Sequence, residues 1–173
     1  MNADATFKLE PLSEEHDVTG FDCGVPALNL YITRRALADQ RAEKTRTFVA
    51  ARSRRVVAFF SLAAASVEPP EAAERLAKGQ GAQAIPVILL ARLAVDSGEQ
   101  GRGLGRAMLV EAVTRCARAA DIIGARAVLV HAKDPGARRF YEKHGFEPSP
   151  SNPLHLIVLM KDVRKSLGTA NDA

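Results

Sequence analysis

The chain has 173 residues, a net charge of +4, 47% hydrophobic side chains and two cysteines. This length suits one domain around one core, here 1–167, followed by a flexible tail over 168–173. No apolar run reaches the ~18 residues of a bilayer span and no secretory apolar region opens the chain, so no membrane role and a cytoplasmic location are expected. Cys23 and Cys116 are far apart, and His16, His131, His144 and His155 show no ligand spacing, so neither a disulfide framework nor a metal is expected.

In chain order, Phe7–Leu9 reads as a short strand and Gly20–Pro26 as a turn. A helix then starts near Pro26, with Leu28, Ile32, Ala36 and Leu37 at helical spacing. Thr47–Ala51 and Val56–Ala63 are strand-like runs joined by the basic turn Arg52–Arg55, which predicts a hairpin. Pro69–Pro70 halts the chain, and Glu71–Lys78 suits one or two helical turns before a loop to Ala84. Ile85–Val95 is nearly all apolar and predicts a strand buried on both faces. A long helix follows to about Ala120, with Leu104, Met108, Leu109, Ala112, Val113, Cys116 and Ala117 on one stripe. A buried strand at Ala127–His131, a short helix from Gly136 to His144 and a strand at Leu154–Met160 complete the pattern. Such an order describes a mixed α/β sheet with helices on both faces.

Charge is unevenly spread. Arg34, Arg35, Arg41, Lys44, Arg46, Arg52, Arg54 and Arg55 face only two acids, Asp39 and Glu43, in the same stretch. A second basic group surrounds the glycine-rich turn Gln100-Gly101-Arg102-Gly103-Leu104-Gly105-Arg106. Clusters of this kind suit a polyanion: a phosphorylated cofactor, a nucleic acid or both. The turn lies between a strand and a helix, where unpaired N–H groups and the helix dipole attract anions. A P-loop would need Gly-Lys-Ser/Thr where Gly105-Arg106-Ala107 stands. A dinucleotide fingerprint would need glycine at Arg106 and an acid where His131-Ala132-Lys133 ends the next strand.

Gln100, Gly103 and Gly105 fit Gln/Arg-x-x-Gly-x-Gly/Ala, and Phe140-Tyr141-Glu142-Lys143-His144-Gly145-Phe146 follows. In these features the sequence resembles the GNAT acetyltransferase superfamily over nearly its whole length. The resemblance implies a central mixed sheet splayed between its fourth and fifth strands, with acetyl-CoA as co-substrate. It assigns the pantetheine arm to the strand around Leu93, Ala94 and Val95, and the pyrophosphate to Gln100, Gly101, Arg102, Gly103, Leu104, Gly105 and Arg106. Tyr141 is where the family places a general acid for the leaving thiolate, although Ala137, Phe140, Tyr141 and His144 also share a packing face. An Asn common in the family before this helix is missing, and Asp134 stands nearby. No general base is identifiable; Asp96, Glu99 and His131 are near in sequence only.

Phe21-Asp22-Cys23-Gly24-Val25-Pro26-Ala27-Leu28-Asn29 further resembles a segment of GNAT toxins from bacterial toxin–antitoxin pairs. That resemblance implies acetylation of the α-amine of aminoacyl-tRNA, a ribbon-helix-helix antitoxin as partner and a homodimer. Arg34, Arg35, Arg41, Lys44 and Arg46 are then the candidate tRNA contacts. The alternatives are an acetyltransferase of a small amine or protein N-terminus, and a CoA- or tRNA-binding module without turnover.

Overall fold

The computed structural model describes residues 7–171. In chain order it has β1 (Lys8–Pro11), α1 (Pro26–Leu30), a π-helical turn (Tyr31–Arg35), α2 (Ala36–Arg41), β2 (Arg46–Arg52) and β3 (Arg55–Val67). A 3-10 turn (Pro69–Glu71), α3 (Glu74–Ala77), β4 (Ile85–Val95), a second 3-10 turn (Ser97–Glu99) and α4 (Leu104–Ile123) follow. The chain continues through β5 (Ala127–His131), α5 (Pro135–Lys143), β6 (Glu147–Pro148), β7 (His155–Leu159) and α6 (Met160–Asn171). Seven strands make one mixed sheet in the order β1-β2-β3-β4-β5-β7-β6. The β4–β5 pair is parallel and covers Val87–Leu90 of β4, opposite Ala127–Val130. This is the mixed α/β architecture expected.

Among the described residues, 7–63 together with Ala91–Glu111 form one compact unit. Ala64–Leu90 together with 112–171 form a second.

In the first unit, alternation along the β2–β3 hairpin sorts residues to two faces. Val49 pairs with Phe59, and both enter a core with Leu12, Phe21, Tyr31, Ile32, Ala36 and Ala94. On the other face Phe48 pairs with Phe60, with rings stacked at 5.2 Å. Thr47 and Ser61 are fully buried and share a hydroxyl hydrogen bond of 2.7 Å, so neither costs an unmet polar group. The helical run from Pro26 carries one change that helical spacing does not foresee. The N–H of Ala36 bonds the carbonyl of Tyr31, five residues back, so one turn is widened. Tyr31, Ile32 and Ala36 thereby all reach the core while Arg34 and Arg35 stay exposed. Arg92 of β4 lies 3.6 Å over the Tyr31 ring, and the Tyr31 hydroxyl bonds Thr45 at 2.9 Å.

In the second unit, β5 and β7 pair antiparallel over their whole lengths, from Ala127↔Leu159 to His131↔His155. Leu76, Ile85, Val87, Leu129, Ile157 and Leu159 form its core. Arg126 fastens the end of α3, donating to the carbonyl of Leu76 at 2.8 Å and to those of Arg75 and Lys78 at 3.2 Å. α6 is absent from the sequence reading, although Met160, Val163 and Leu167 stand at helical spacing and the first two are buried. The strand expected over Leu154–Met160 is β7, and helix begins directly at Met160. The tail expected from Gly168 falls within α6 as far as Asn171; Asp172 and Ala173 lie outside the described residues.

Candidate functional site

The glycine-rich turn is held from behind by a segment more than seventy residues earlier in sequence. Asp22 is the centre of that brace. Its Oδ1 accepts from the N–H of Gly24 and from Asn29 Nδ2, both at 2.9 Å, and Asn29 Oδ1 accepts the Cys23 N–H at 2.9 Å. The Asp22 backbone then grips the turn: its N–H donates to Asp96 Oδ2 at 3.1 Å, and its carbonyl accepts from the N–H and the hydroxyl of Ser97, each at 2.8 Å. Gln100 closes the clamp, with Nε2 donating to the carbonyls of Val95 at 2.8 Å and Cys23 at 3.2 Å. Hydrogen bonds from Gly24 and Asn29 hold the Asp22 carboxyl below its ordinary range.

A bulge in the hairpin contributes to the same end. Between Ala50 and Ala51 the register shifts so that Val57 has no partner in β2, and its carbonyl accepts the Asp96 N–H at 2.8 Å. Asp96 is 7% exposed and also accepts from the Gly98 N–H at 3.0 Å. Glu99 is buried too, held by Arg52 through bonds of 2.9 and 3.0 Å. That hydrogen-bonded ion pair pushes the Glu99 carboxyl below its ordinary range. Both acids near the turn are therefore committed to structure.

What the brace presents is backbone. Gly101 and Gly103 have φ of +78° and +84°, a region closed to most side-chain-bearing residues. Gly105 is already helical, and a Cβ there would meet only Val95 Cγ2, at 3.8 Å. Among the described residues, the N–H groups from Gly101 to Arg106 have no hydrogen-bond partner; the first such bond of α4 is Ala107 N–H to the Gly103 carbonyl. Arg102 and Arg106 are exposed beside them, Arg102 lying 3.8 Å from Glu99. A crown of free N–H groups at the start of a 20-residue helix, flanked by two guanidiniums, is built for a multiply charged anion. On β4, Ala94 is buried while Leu93 and Val95 are half-buried.

The second unit holds Tyr141. Asp134 caps α5, its carboxylate accepting the Ala137 N–H at 2.8 Å, and Pro135 opens the helix. Gly145, at φ +92°, turns the chain so that the Phe146 N–H bonds the Tyr141 carbonyl at 3.1 Å. The Phe146 and Phe140 rings meet the Tyr141 ring edge-on at 5.4 and 5.2 Å. Tyr141 is 8% exposed, and burial pushes its phenol up to about 12. Its hydroxyl makes no hydrogen bond among the described residues, yet no buried side-chain polar atom lacks a partner there. The hydroxyl therefore opens on accessible space: a packed ring with a free, protonated tip.

His131 ends β5 with its ring stacked on that of its register partner His155, centroids 4.0 Å apart. Burial, then the neighbouring His155, holds its pKa below the ordinary value. The tRNA candidates Arg34, Arg35, Arg41, Lys44 and Arg46 are all exposed. Arg41 pairs with Glu14; the side chains of the other four have no ion pair or hydrogen bond among the described residues. Of the wider basic set, Arg52, Arg54 and Arg55 are taken up by Glu99, the Glu15 carbonyl and Asp96. The described residues include no group of three or more His, Cys, Asp or Glu able to hold a metal, and no helix long and apolar enough to cross a membrane. Cys116 is buried, which pushes its thiol up to about 12. The sequence reading missed Asp22, Asn29 and Ser97 as parts of the site; a motif shared with other proteins marked the first two without a reason for it.

A family profile described as an acetyltransferase (GNAT) domain matches residues 43–148. A tRNA-acetylating toxin of Mycobacterium tuberculosis is 49% identical over 157 residues, covering 91% of this chain and 94% of that protein. AtaT complexed with acetyl-methionyl-tRNAfMet superposes with a TM-score of 0.87 at 26% identity, over 94% of this chain and 99% of that one. A Tyr→Phe variant of AtaT, bound to acetyl-CoA and the C-terminus of the antitoxin AtaR, gives 0.78 at 28% identity, over 91% and 96%.

Proposed function

We propose that this chain, which belongs to the GNAT acetyltransferase family, moves an acetyl group from acetyl-CoA to the α-amine of aminoacyl-tRNA and so acts as a toxin of translation. The free N–H crown from Gly101 to Arg106 carries the donor half of this reading. It suits the pyrophosphate of acetyl-CoA, with Arg102 and Arg106 adding charge-assisted bonds. Gln100 contributes by bracing, since its side-chain amide is spent on the Val95 and Cys23 carbonyls. The β4 backbone at Leu93, Ala94 and Val95 is the stretch assigned to the pantetheine arm.

When bound, acetyl-CoA supplies a thioester whose C–S bond breaks as the amide C–N bond forms. Tyr141 meets the departing sulfur. With its pKa pushed up to about 12, the phenol keeps its proton at pH 7 and offers it where negative charge develops. The α-amine of an aminoacyl ester is less basic than a lysine, so enough is neutral at pH 7 and water accepts its proton. This agrees with the commitment of Asp96 and Glu99 to structure.

The exposed cations Arg34, Arg35, Lys44 and Arg46 support the choice of acceptor, since a small amine needs no such surface. The 49% identity to a mycobacterial tRNA-acetylating toxin supports it as well. A cytoplasmic location follows from a substrate of translation. An antitoxin partner belongs to the same reading, by analogy with AtaT solved with part of AtaR; a ribbon-helix-helix form for that partner and a homodimer are proposed with it on the sequence resemblance alone.

The test offers purified protein labelled acetyl-CoA with charged tRNA, uncharged tRNA, polyamines and peptides. Label is expected on charged tRNA alone. Tyr141→Phe is expected to lower transfer by about 10²–10⁴-fold while holding acetyl-CoA within about two-fold of the parent affinity. Label on polyamines or peptides with charged tRNA untouched overturns the acceptor. Replacing Arg34, Arg35, Lys44 and Arg46 together by Ala is expected to flatten the salt dependence of tRNA binding, by roughly 0.7–0.9 in log–log slope per lost phosphate contact. Acetyl-CoA binding should not change.

A further inference from the structure

The second unit contains a cavity of about 440 Å³ that the acetyl-transfer chemistry above does not use. Leu76, Leu129 and Ile157 line its apolar floor, and His131 and His155 stand in its wall. No Lys or Arg lines it. The two imidazoles are register partners at the ends of β5 and β7, already stacked with planes 18° apart. His131 is held below its ordinary pKa by burial and by the neighbouring His155. Two polar groups remain available. Asn152 spends Oδ1 on the Leu154 N–H at 3.0 Å, which leaves its NH₂ to donate. Ser66 is an exposed lining residue whose hydroxyl has no partner among the described residues.

The wall opposite is fixed rather than mobile. The Ser149 hydroxyl donates to the Glu71 carbonyl at 2.7 Å, Arg126 holds the carbonyls at the end of α3, and Arg75 pairs with Glu147 and Asp162. A preformed cavity with an aromatic shelf, a few hydrogen-bonding groups and Glu71 as its one acidic lining residue rejects phosphate and suits a flat heteroaromatic base. Its size fits a nucleoside and exceeds what an amino-acid side chain fills. Its place in the fold also matters: His131 is the last residue of β5, and α5, which carries Tyr141, starts at Pro135.

We propose that this cavity receives the 3′-terminal adenosine of the acceptor tRNA, an assignment that rests on the reading of aminoacyl-tRNA as substrate. The adenine extends the His131–His155 stack, and Asn152 and Ser66 bond its edge or the ribose. That adenosine carries the ester to the amino acid and is the same on every tRNA. The cavity therefore recognises the acceptor end, charged or not, without selecting among amino acids.

Binding of two uncharged tRNAs to the full-length protein tests this, one with an intact 3′-CCA end and one trimmed to CC. The parent protein is expected to bind the intact tRNA about ten-fold more tightly, the scale of one stacked base. His155→Ala is expected to erase that difference while leaving binding of the trimmed tRNA unchanged. Ser66→Phe fills the cavity from its exposed rim and should do the same, which guards against a folding defect in the β7 variant. Equal binding of the two tRNAs by the parent overturns the assignment and leaves acetyl transfer standing; failure to bind either overturns both. If His155→Ala keeps the difference but changes which aminoacyl-tRNA is acetylated, the cavity holds the amino-acid side chain instead and the assignment falls.

Discussion

The turn at Gly101–Arg106 and the surroundings of Tyr141 solve opposite problems. At the turn, side chains are spent on scaffolding: Asp22, Asn29, Asp96, Ser97 and Gln100 all bond inward, and the backbone is what remains free. Around Tyr141 the backbone is satisfied by helix and turn, and one hydroxyl is left free at the end of a ring packed by Phe140 and Phe146. A diffuse, multiply charged pyrophosphate is met well by many fixed dipoles. In the proposed reaction, a single charge developing on sulfur calls for one group that arrives with its proton and can offer it. Backbone sites thus tolerate side-chain change but not a change of φ, and side-chain sites do the reverse.

Substitutions at the turn test that contrast. Gly103→Val forces a β-branched residue into φ +84°, at a cost of about 1–2 kcal/mol in that conformation. Acetyl-CoA affinity, read by calorimetry, is expected to fall by about 100-fold as the N–H groups lose alignment. Gly105→Ala, at a helical φ with room for a Cβ, should fall by no more than a few-fold; equal losses at both positions would break the comparison. Asp22→Ala removes the centre of the brace without touching the anion site. Acetyl-CoA affinity is expected to drop by about ten-fold, the effect of one lost positioning contact. An unchanged affinity would mean that the turn holds its shape unaided.

The smallest effect concerns pH. Glu99 has its pKa lowered in the folded state by Arg52, so its contribution to stability is present above its unfolded value of about 4.5 and is lost as pH falls through the folded value. Acid unfolding of the parent should steepen below pH ~4.5, and Glu99→Gln should flatten that limb while lowering stability at pH 7. Tyr141, with its pKa raised by burial, acts on the alkaline side: its share of stability is full below pH ~10 and is lost as pH rises towards 12.

Legibility in the sequence followed the same division. Ile85–Val95 and Ala127–His131 were readable to the residue because continuous apolar runs between breakers leave no other period. The glycine turn was readable because three glycines in five residues, beside two arginines, report a backbone demand directly. The widened turn at Tyr31 was not, because one extra residue in a helix leaves the apolar count unchanged and only shifts the stripe. α6 was overlooked because Met160 reads equally well as the last residue of an apolar strand. The role of Asp22 and Asn29 lay beyond periodicity altogether, since it depends on a contact between segments distant in sequence. The free hydroxyl of Tyr141 and the stacked histidine pair likewise emerge only once the chain is folded.

The brace between Asp22 and the turn has a consequence for how the protein comes into being. Its bonds join residues 74, 75 and 77 positions apart, among the more distant pairings in the first unit. Closing so long a loop is slow and cannot precede synthesis of its far end. On a ribosome, the anion site would stay shapeless until the chain beyond Arg106 had emerged, however early Asp22 was made. A fragment beginning after Asn29 would retain every glycine of the motif and lose the part that shapes it. An enzyme proposed to silence translation would thus remain harmless to the ribosome that is making it until most of its own chain is complete.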